Sequence, residues 1–191
     1  MTNILFLGSH NSEITNFLCK LGDQVISCEE KVIADSHLIK HIDFIVSYGY
    51  RHILKWDILG KFQQRAINIH ISLLPWNRGA DPNLWSFLEN TPKGVSIHYI
   101  DLGIDTGDIL VQREVNFSLD ETLKTSYEKL SYTAENLFKE YWLDIRDNKI
   151  KPSVQNMIGS FHLKKDRSRY DHLLVTGWDT PVSEITGKAL F

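Results

Sequence analysis

A chain of 191 residues, 42% hydrophobic and 24% charged, fits one domain with a real core and a small C-terminal extension. Its formal net charge of −3 gives no general attraction to nucleic acid. No apolar run reaches the roughly 18 residues of a membrane-spanning helix, Ile4-Leu5-Phe6-Leu7 is too short for a signal-peptide core, and Cys19 and Cys28 make neither a disulfide framework nor a metal motif, which suits a reducing cytoplasm.

Asn3 to Leu7 is a short apolar run ending at Gly8 and predicts a first strand. Asn11 or Ser12 can cap a helix whose Ile14, Phe17, Leu18 and Leu21 share one face, with Gly22 ending it. Gln24 to Ser27, Asp43 to Ser47 (followed by Tyr48-Gly49-Tyr50) and Ile67 to Ile71 predict three more strands. Strands alternating with helices imply an α/β fold, a mostly parallel sheet with helices on both faces. The pattern then changes. Gly94 to Ile100 and Ile109 to Val115 alternate in character, and the Asp101–Gly107 segment between them predicts an antiparallel hairpin with a structured loop. Ser118-Leu119-Asp120-Glu121 reads as a capping box. The long helix it opens carries a core stripe of Leu123, Tyr127, Leu130, Ala134, Leu137, Tyr141 and Ile145. Lys151-Pro152 breaks that helix, and a basic stretch with Lys164, Lys165, Arg167 and Arg169 follows. Residues 1–150 are read as the catalytic domain and 151–191 as an extension packed on it.

The chemistry concentrates in Asn68 to Gly79 and in Asp105-Thr106-Gly107. Ala66 to Ser72 alternates apolar and polar residues, so Asn68 and His70 project side by side from one strand face. An amide donor, an imidazole and a carboxylate (Asn68, His70 and Asp105) are what an acyl-transfer site needs. Ligands of such sheets lie at the carboxyl ends of parallel strands, where Tyr48-Gly49-Tyr50, the segment after His70 and the Asp105 loop all fall. The plainer alternative is that Asn68 and His70 are satisfied polar residues at a strand end.

The residues also carry a family resemblance. Asn-x-His-x-Ser-Leu-Leu-Pro-x-x-Arg-Gly at 68–79, followed by Gly-Val-x-x-His-x-x-Asp-x-Gly-x-Asp-Thr-Gly at 94–107, resembles the N10-formyltetrahydrofolate-dependent formyltransferases. The likeness is strong over Asn68 to Val115 and fades after Ile150. It implies a Rossmann-like formyltransferase fold and a catalytic trio of Asn68, His70 and Asp105, with His98 in a supporting or packing role. It implies N10-formyltetrahydrofolate as formyl donor, held by Tyr48, Gly49, Leu102, Gly103 and Ile104. In that chemistry an amine attacks the formyl carbon, Asn68 and His70 stabilise the developing oxyanion (about 2.7–4 kcal/mol per donor), and His70 moves a proton.

Within the family, the acceptor is narrowed by what is missing. Gly8-Ser9-His10-Asn11-Ser12 keeps a single glycine where the glycinamide ribonucleotide enzymes have a glycine-rich phosphate loop. There is no room for the C-terminal barrel of the methionyl-tRNA enzymes. The regulatory domain of the formyltetrahydrofolate hydrolases has no counterpart before the first strand. The resemblance therefore implies a nucleotide-linked amino sugar as acceptor, with no nucleic-acid or membrane partner and a homodimer as the expected assembly. Trp76, Arg78, Asp81 and Asn83 are the candidate acceptor residues; Trp76 or Trp85 can stack on a base or sugar and Arg78 can meet a phosphate, while core burial suits the tryptophans equally. Three other classes compete. A zinc hydrolase on His70, His98 and Asp105 would lack a compact ligand motif and leave Asn68 idle, so no metal is expected. One Asp-Thr-Gly cannot make an aspartic-protease dyad. A non-catalytic folate- or nucleotide-binding module would have no use for the intact trio.

Overall fold

Short apolar runs bounded by turn residues make most of the sheet in this computed structural model, which describes residues 1–9, 13–155 and 158–189. In chain order the first half comprises β1 (Asn3–Leu7), α1 (Glu13–Lys20), β2 (Gln24–Cys28), β3 (Phe44–Tyr48), α2 (Trp56–Leu59) and β4 (Ala66–His70). The second half comprises β5 (Arg78–Gly79), α3 (Pro82–Leu88), β6 (Gly94–Tyr99), β7 (Ile109–Glu114), α4 (Leu123–Arg146), β8 (Phe161–His162) and α5 (Val182–Ile185). The main sheet runs β2-β1-β3-β4-β6-β7, parallel through β4 and antiparallel at β6 and β7. The expected mostly parallel sheet with one antiparallel hairpin is what forms.

Both faces are covered, and strand alternation explains how. Ile4, Phe6, Val46, Ile67 and Ile69 join a core with Leu130, Leu137, Phe138 and Trp142 of α4. Leu5, Leu7, Ile45 and Ala66 point the other way, toward Ile58 and Leu59 of α2. A third cluster lies apart, where Leu84, Trp85, Phe87 and Leu88 of α3 meet Leu123, Val182 and Ile185. Among the described residues no helix is long and apolar enough to cross a membrane.

Several local expectations change. The proposed caps Asn11 and Ser12 lie outside the described residues, and Leu21 is 43% exposed because it sits past the end of α1. Helix α4 begins one turn later than Ser118 suggested. Thr122 is its N-cap, paired reciprocally with Thr125, while Ser118 Oγ accepts from the Asp120 amide in the preceding turn. On α4, Tyr127 is exposed and Ser126, Phe138 and Trp142 complete the buried stripe. Phe44 meets Trp142 edge-on at 5.1 Å. Helix α3 had no sequence signal, because Asn83 to Leu88 are all buried and a helix buried all round shows no polar face. The C-terminal segment is held by β8, which pairs with β5 in a separate two-stranded sheet, and is tied to the main sheet by a bridge between Ser153 and Ile109.

Candidate functional site

The register of β4 against β6 builds the site floor. Asn68 lies opposite His98, and His70 opposite Ser96. Ile67, Ile69, Val95 and Ile97 take the face under α4, so the four polar residues emerge on the other face. Asp105 arrives from the loop between β6 and β7. Its backbone sits at φ 54, a region a carboxamide or carboxylate residue tolerates better than most. The loop closes tightly on β6, since a Cβ on Gly107 would lie 1.9 Å from the Tyr99 carbonyl oxygen. Gln155 braces it from the C-terminal segment, donating to the carbonyls of Asp105 (3.0 Å) and Gly107 (2.6 Å).

Around Asp105 the polar groups converge. Asn68 Nδ2 donates to Oδ1 at 3.1 Å, and the Gly79 amide donates to Oδ2 at 2.9 Å. His70 Nδ1 is 3.7 Å from Oδ2, and His98 Nε2 is 3.4 Å from Oδ1 and 3.3 Å from Asn68 Nδ2. His98 Nδ1 is anchored on the Tyr99 carbonyl at 2.8 Å. Burial pushes the Asp105 carboxyl up, but the two imidazoles and the Gly79 amide outweigh it and hold the group well below the usual carboxylate range. Burial also dominates at His70, keeping its pKa below the ordinary 6.5 although the Asp105 charge pulls the other way. Tyr48 is pushed up to about 12 by burial, so it stays a neutral phenol. The site thus pairs a permanent anion with a mostly neutral imidazole at neutral pH.

The floor opens into a cleft of about 770 Å³. Asn68, His70 and Asp105 line it together, as do Tyr48, Gly49, Gly103, Ile104, Asp81 and Asn83. Leu102, Trp76 and Arg78 do not: Leu102 turns outward and is 71% exposed, Arg78 is taken up in the β5–β8 pair, and the Trp76 carbonyl is held by Ser72 Oγ. Asn83 reaches the cleft wall with its amide already engaged, donating to the Leu123 carbonyl and to Ser126. Trp85 is a core residue, stacked on His162 with ring centroids 3.7 Å apart. Among the described residues no three His, Cys, Asp or Glu side chains are grouped so as to hold a metal ion.

Two parts of the cleft were missed. The Arg51–Leu54 loop forms one wall, and its main-chain N–H and C=O groups take no partner among the described residues. A wall with amides and carbonyls unpartnered among the described residues, beside apolar Ile53, Ile100 and Ile104, suits a flat heterocycle with a polar edge. Further lining comes from the C-terminal segment, with His162, Lys164 and Trp178. The basic character of 161–170 was a signal for this lining, but nothing in it gave a direction.

Comparison with known proteins places this geometry. The profile of the Formyl transferase family matches residues 22–141. The methionyl-tRNA formyltransferase of Thermodesulfovibrio yellowstonii is 33% identical over 147 residues, covering 73% of this chain and 48% of that protein. That of Prochlorococcus marinus subsp. pastoris is 39% identical over 108 residues, 56% of this chain and 33% of that protein. The chain spans about half the length, or less, of these curated relatives. Among solved structures, the formyltransferase PseJ from Anoxybacillus kamchatkensis is 53% identical with a TM-score of 0.96, covering 98% of this chain and 99% of that one. It was crystallised with UDP-4,6-dideoxy-4-formamido-L-AltNAc and tetrahydrofolate. A 4-N formyltransferase from Francisella tularensis, 24% identical, shares the fold with a TM-score of 0.76 over 88% of this chain and 78% of that one. Because the profile runs through more than half of the sequence and takes in β4 and the Asp105 loop, this chain belongs to the Formyl transferase family.

Proposed function

We propose that the protein transfers a formyl group from N10-formyltetrahydrofolate to the amine of a nucleotide-linked amino sugar, with a UDP-linked 4-amino-4,6-dideoxy sugar as the first acceptor to test. The observation that carries this reading is the near full-length likeness, at 53% identity, to a formyltransferase crystallised with such a formamido sugar and tetrahydrofolate. The convergence of Asn68, His70 and Asp105 on one cleft supports it.

The folate, when bound, supplies an electrophilic formyl carbon. The main-chain groups of Arg51–Leu54, without partners among the described residues, and the apolar Ile104 would hold its ring system, beside Tyr48, Gly49 and Gly103. Asp105 fixes the Asn68 amide plane through one N–H; the second, which faces His98 Nε2 at 3.3 Å in the free cleft, would turn to the charge that develops on the formyl oxygen. His70, neutral at working pH, takes the proton of the attacking amine, and Asp105 then faces the imidazolium. Elsewhere in the lining, Trp178 and Tyr127, 5.6 Å apart and both half-exposed, offer a stacking surface for the base. Lys164 supplies charge for the diphosphate. Residues 1–150 on this reading carry the chemistry and the folate, and 151–191 complete the acceptor side.

The test is incubation with the folate donor and a panel of nucleotide-linked amino sugars, read by mass for an added formyl group. Formylation of one sugar is expected, with kcat lost in Asn68→Ala and His70→Ala while both variants keep their melting temperature. No product across the panel, or near-normal turnover in both variants, overturns the proposal.

A further inference from the structure

Behind the cleft lies a buried polar network that the proposed chemistry does not use. His70 Nε2 is 3.0 Å from the main-chain carbonyl of Asn77. A carbonyl oxygen can only accept, so Nε2 carries the proton and, in the neutral ring, the lone pair is on Nδ1. Nδ1 is the nitrogen on the Asp105 side of the ring, 3.7 Å from Oδ2. The tautomer is therefore decided by where the Asn77 carbonyl points.

That carbonyl is held from several directions. Asn77 is fully buried, with a positive φ of 55. Its amide N–H donates to Ser160 Oγ at 2.9 Å. Its side-chain nitrogen donates to Glu89 Oε2 at 3.1 Å and to Ser160 Oγ at 3.3 Å, and its side-chain oxygen accepts from Thr91 Oγ1 at 2.8 Å. Every polar atom of Asn77 is thus engaged. Glu89 is fixed in turn, 3.0 Å from His162 Nε2, while the His162 ring stacks on Trp85. Three chain segments meet at this residue, which does not line the cleft: its own turn after β4, the stretch from the end of α3 toward β6, and the C-terminal segment.

We infer that Asn77 is a positioning residue: its carbonyl, locked by Glu89, Thr91 and Ser160, sets His70 as the Nε2–H tautomer and makes Nδ1 the nitrogen that receives the acceptor's proton. The second half of this statement rests on the proposed formyl transfer. As the new C–N bond forms, the formyl C=O pair moves onto oxygen and the amine N–H bond breaks, its electron pair staying on nitrogen. The proton passes to the Nδ1 lone pair, leaving an imidazolium with both N–H groups facing an acceptor, Asn77 O on one side and Asp105 on the other. As the carbonyl re-forms, the C–N10 bond breaks and the leaving nitrogen takes up the proton. The opposite tautomer would present an N–H to the amine and accept nothing.

The test reads the tautomer directly. Ring-nitrogen NMR shifts of isotope-labelled histidine in the whole protein, with His70 assigned by its loss in His70→Gln, are expected to show a protonated Nε2 and an unprotonated Nδ1 at pH 8. Asn77→Gly keeps the positive φ but drops all the side-chain ties; it is expected to give a mixture of tautomers and a kcat down about tenfold or more. KM for both substrates should stay within about twofold, as for a residue that acts on the chemical step. Glu89→Gln retains an acceptor for the Asn77 amide and should keep the wild-type tautomer. Should Asn77→Gly fold poorly, Ser160→Ala, which removes one tie, should shift the tautomer in the same direction. A wild-type ring protonated on Nδ1, or an unchanged tautomer in both Asn77→Gly and Ser160→Ala, overturns the inference. The NMR readout needs no substrate, so failure to formylate any sugar would sink the proposed function and leave the tautomer assignment standing.

Discussion

The Asp105 carboxylate touches an amide, a main-chain N–H and two imidazoles, and its charge decides when His70 protonates. Burial lowers the His70 pKa and the Asp105 charge raises it, so removing the charge leaves burial unopposed. Asp105→Asn should therefore move the acid limb of kcat/KM to lower pH than in the wild type, whose own limb lies below the ordinary 6.5 of histidine. It should also lower kcat across the whole range, because the imidazolium formed during transfer loses its counter-ion. Paired pH–rate profiles check both effects, and a limb that moves upward would show that Asp105 does not act on His70 through its charge. Stability follows from the same signs. Both groups titrate lower in the folded chain than in the unfolded one, so the unfolded state binds more protons as pH falls. The part linked to His70 is fully present above pH 6.5 and is lost below it; the part linked to Asp105 is lost below about 3.8, the ordinary value for its carboxyl.

At the level of elements, the two-residue pair β5–β8 ties the site to the C-terminal segment, and Gly79 is its tightest point. Its φ is +90, and a Cβ there would lie 2.3 Å from the His162 carbonyl oxygen. Gly79→Ala is expected to cost about 1–3 kcal/mol from backbone strain alone, and to lower kcat as well, because the Gly79 amide is the donor that holds Asp105 Oδ2. Urea unfolding and turnover measured on one preparation test it; a stable variant of normal activity would show that β5 bears no strain and does not position Asp105. Not all of this was legible in the sequence. Strand β4 was, because its apolar and polar residues alternate and one of its faces is polar, and the trio followed from that face and the Asp-Thr-Gly loop. The end of α4 was misplaced because Ser118 and Thr122 both suit an N-cap, and tertiary contacts chose the second: the Leu123 amide bonds the Thr180 carbonyl. The C-terminal segment could not be read, since two strand residues and short 3-10 turns have no period to detect. Asn77, Glu89 and His162 were invisible for a related reason, coming together from three distant segments with no shared pattern.

Across the whole molecule, the cleft has two walls of different origin. The loop after β3 and the Asp105 loop belong to the part matched by the family profile, while His162, Lys164 and Trp178 lie beyond residue 141, where that match ends. A common chemistry on one wall and a private acceptor on the other would give that division. The proposed function then requires the two substrates to be separable by mutation. Trp178 is 48% exposed at the rim, apart from the buried clusters, so its removal should leave the fold intact. Base–aromatic stacking contributes about 1–3 kcal/mol, so Trp178→Ala should raise the acceptor KM by roughly five- to 150-fold. The folate KM and kcat should hardly move. Ile104→Ala on the wall assigned to the folate should do the reverse, raising the folate KM and sparing the acceptor's. Initial rates over a grid of both substrate concentrations resolve the two constants for each variant. If either substitution moved both constants together, the walls would not be serving separate substrates, and the C-terminal segment would be a structural brace for the Asp105 loop through Gln155 instead of the acceptor side of the site.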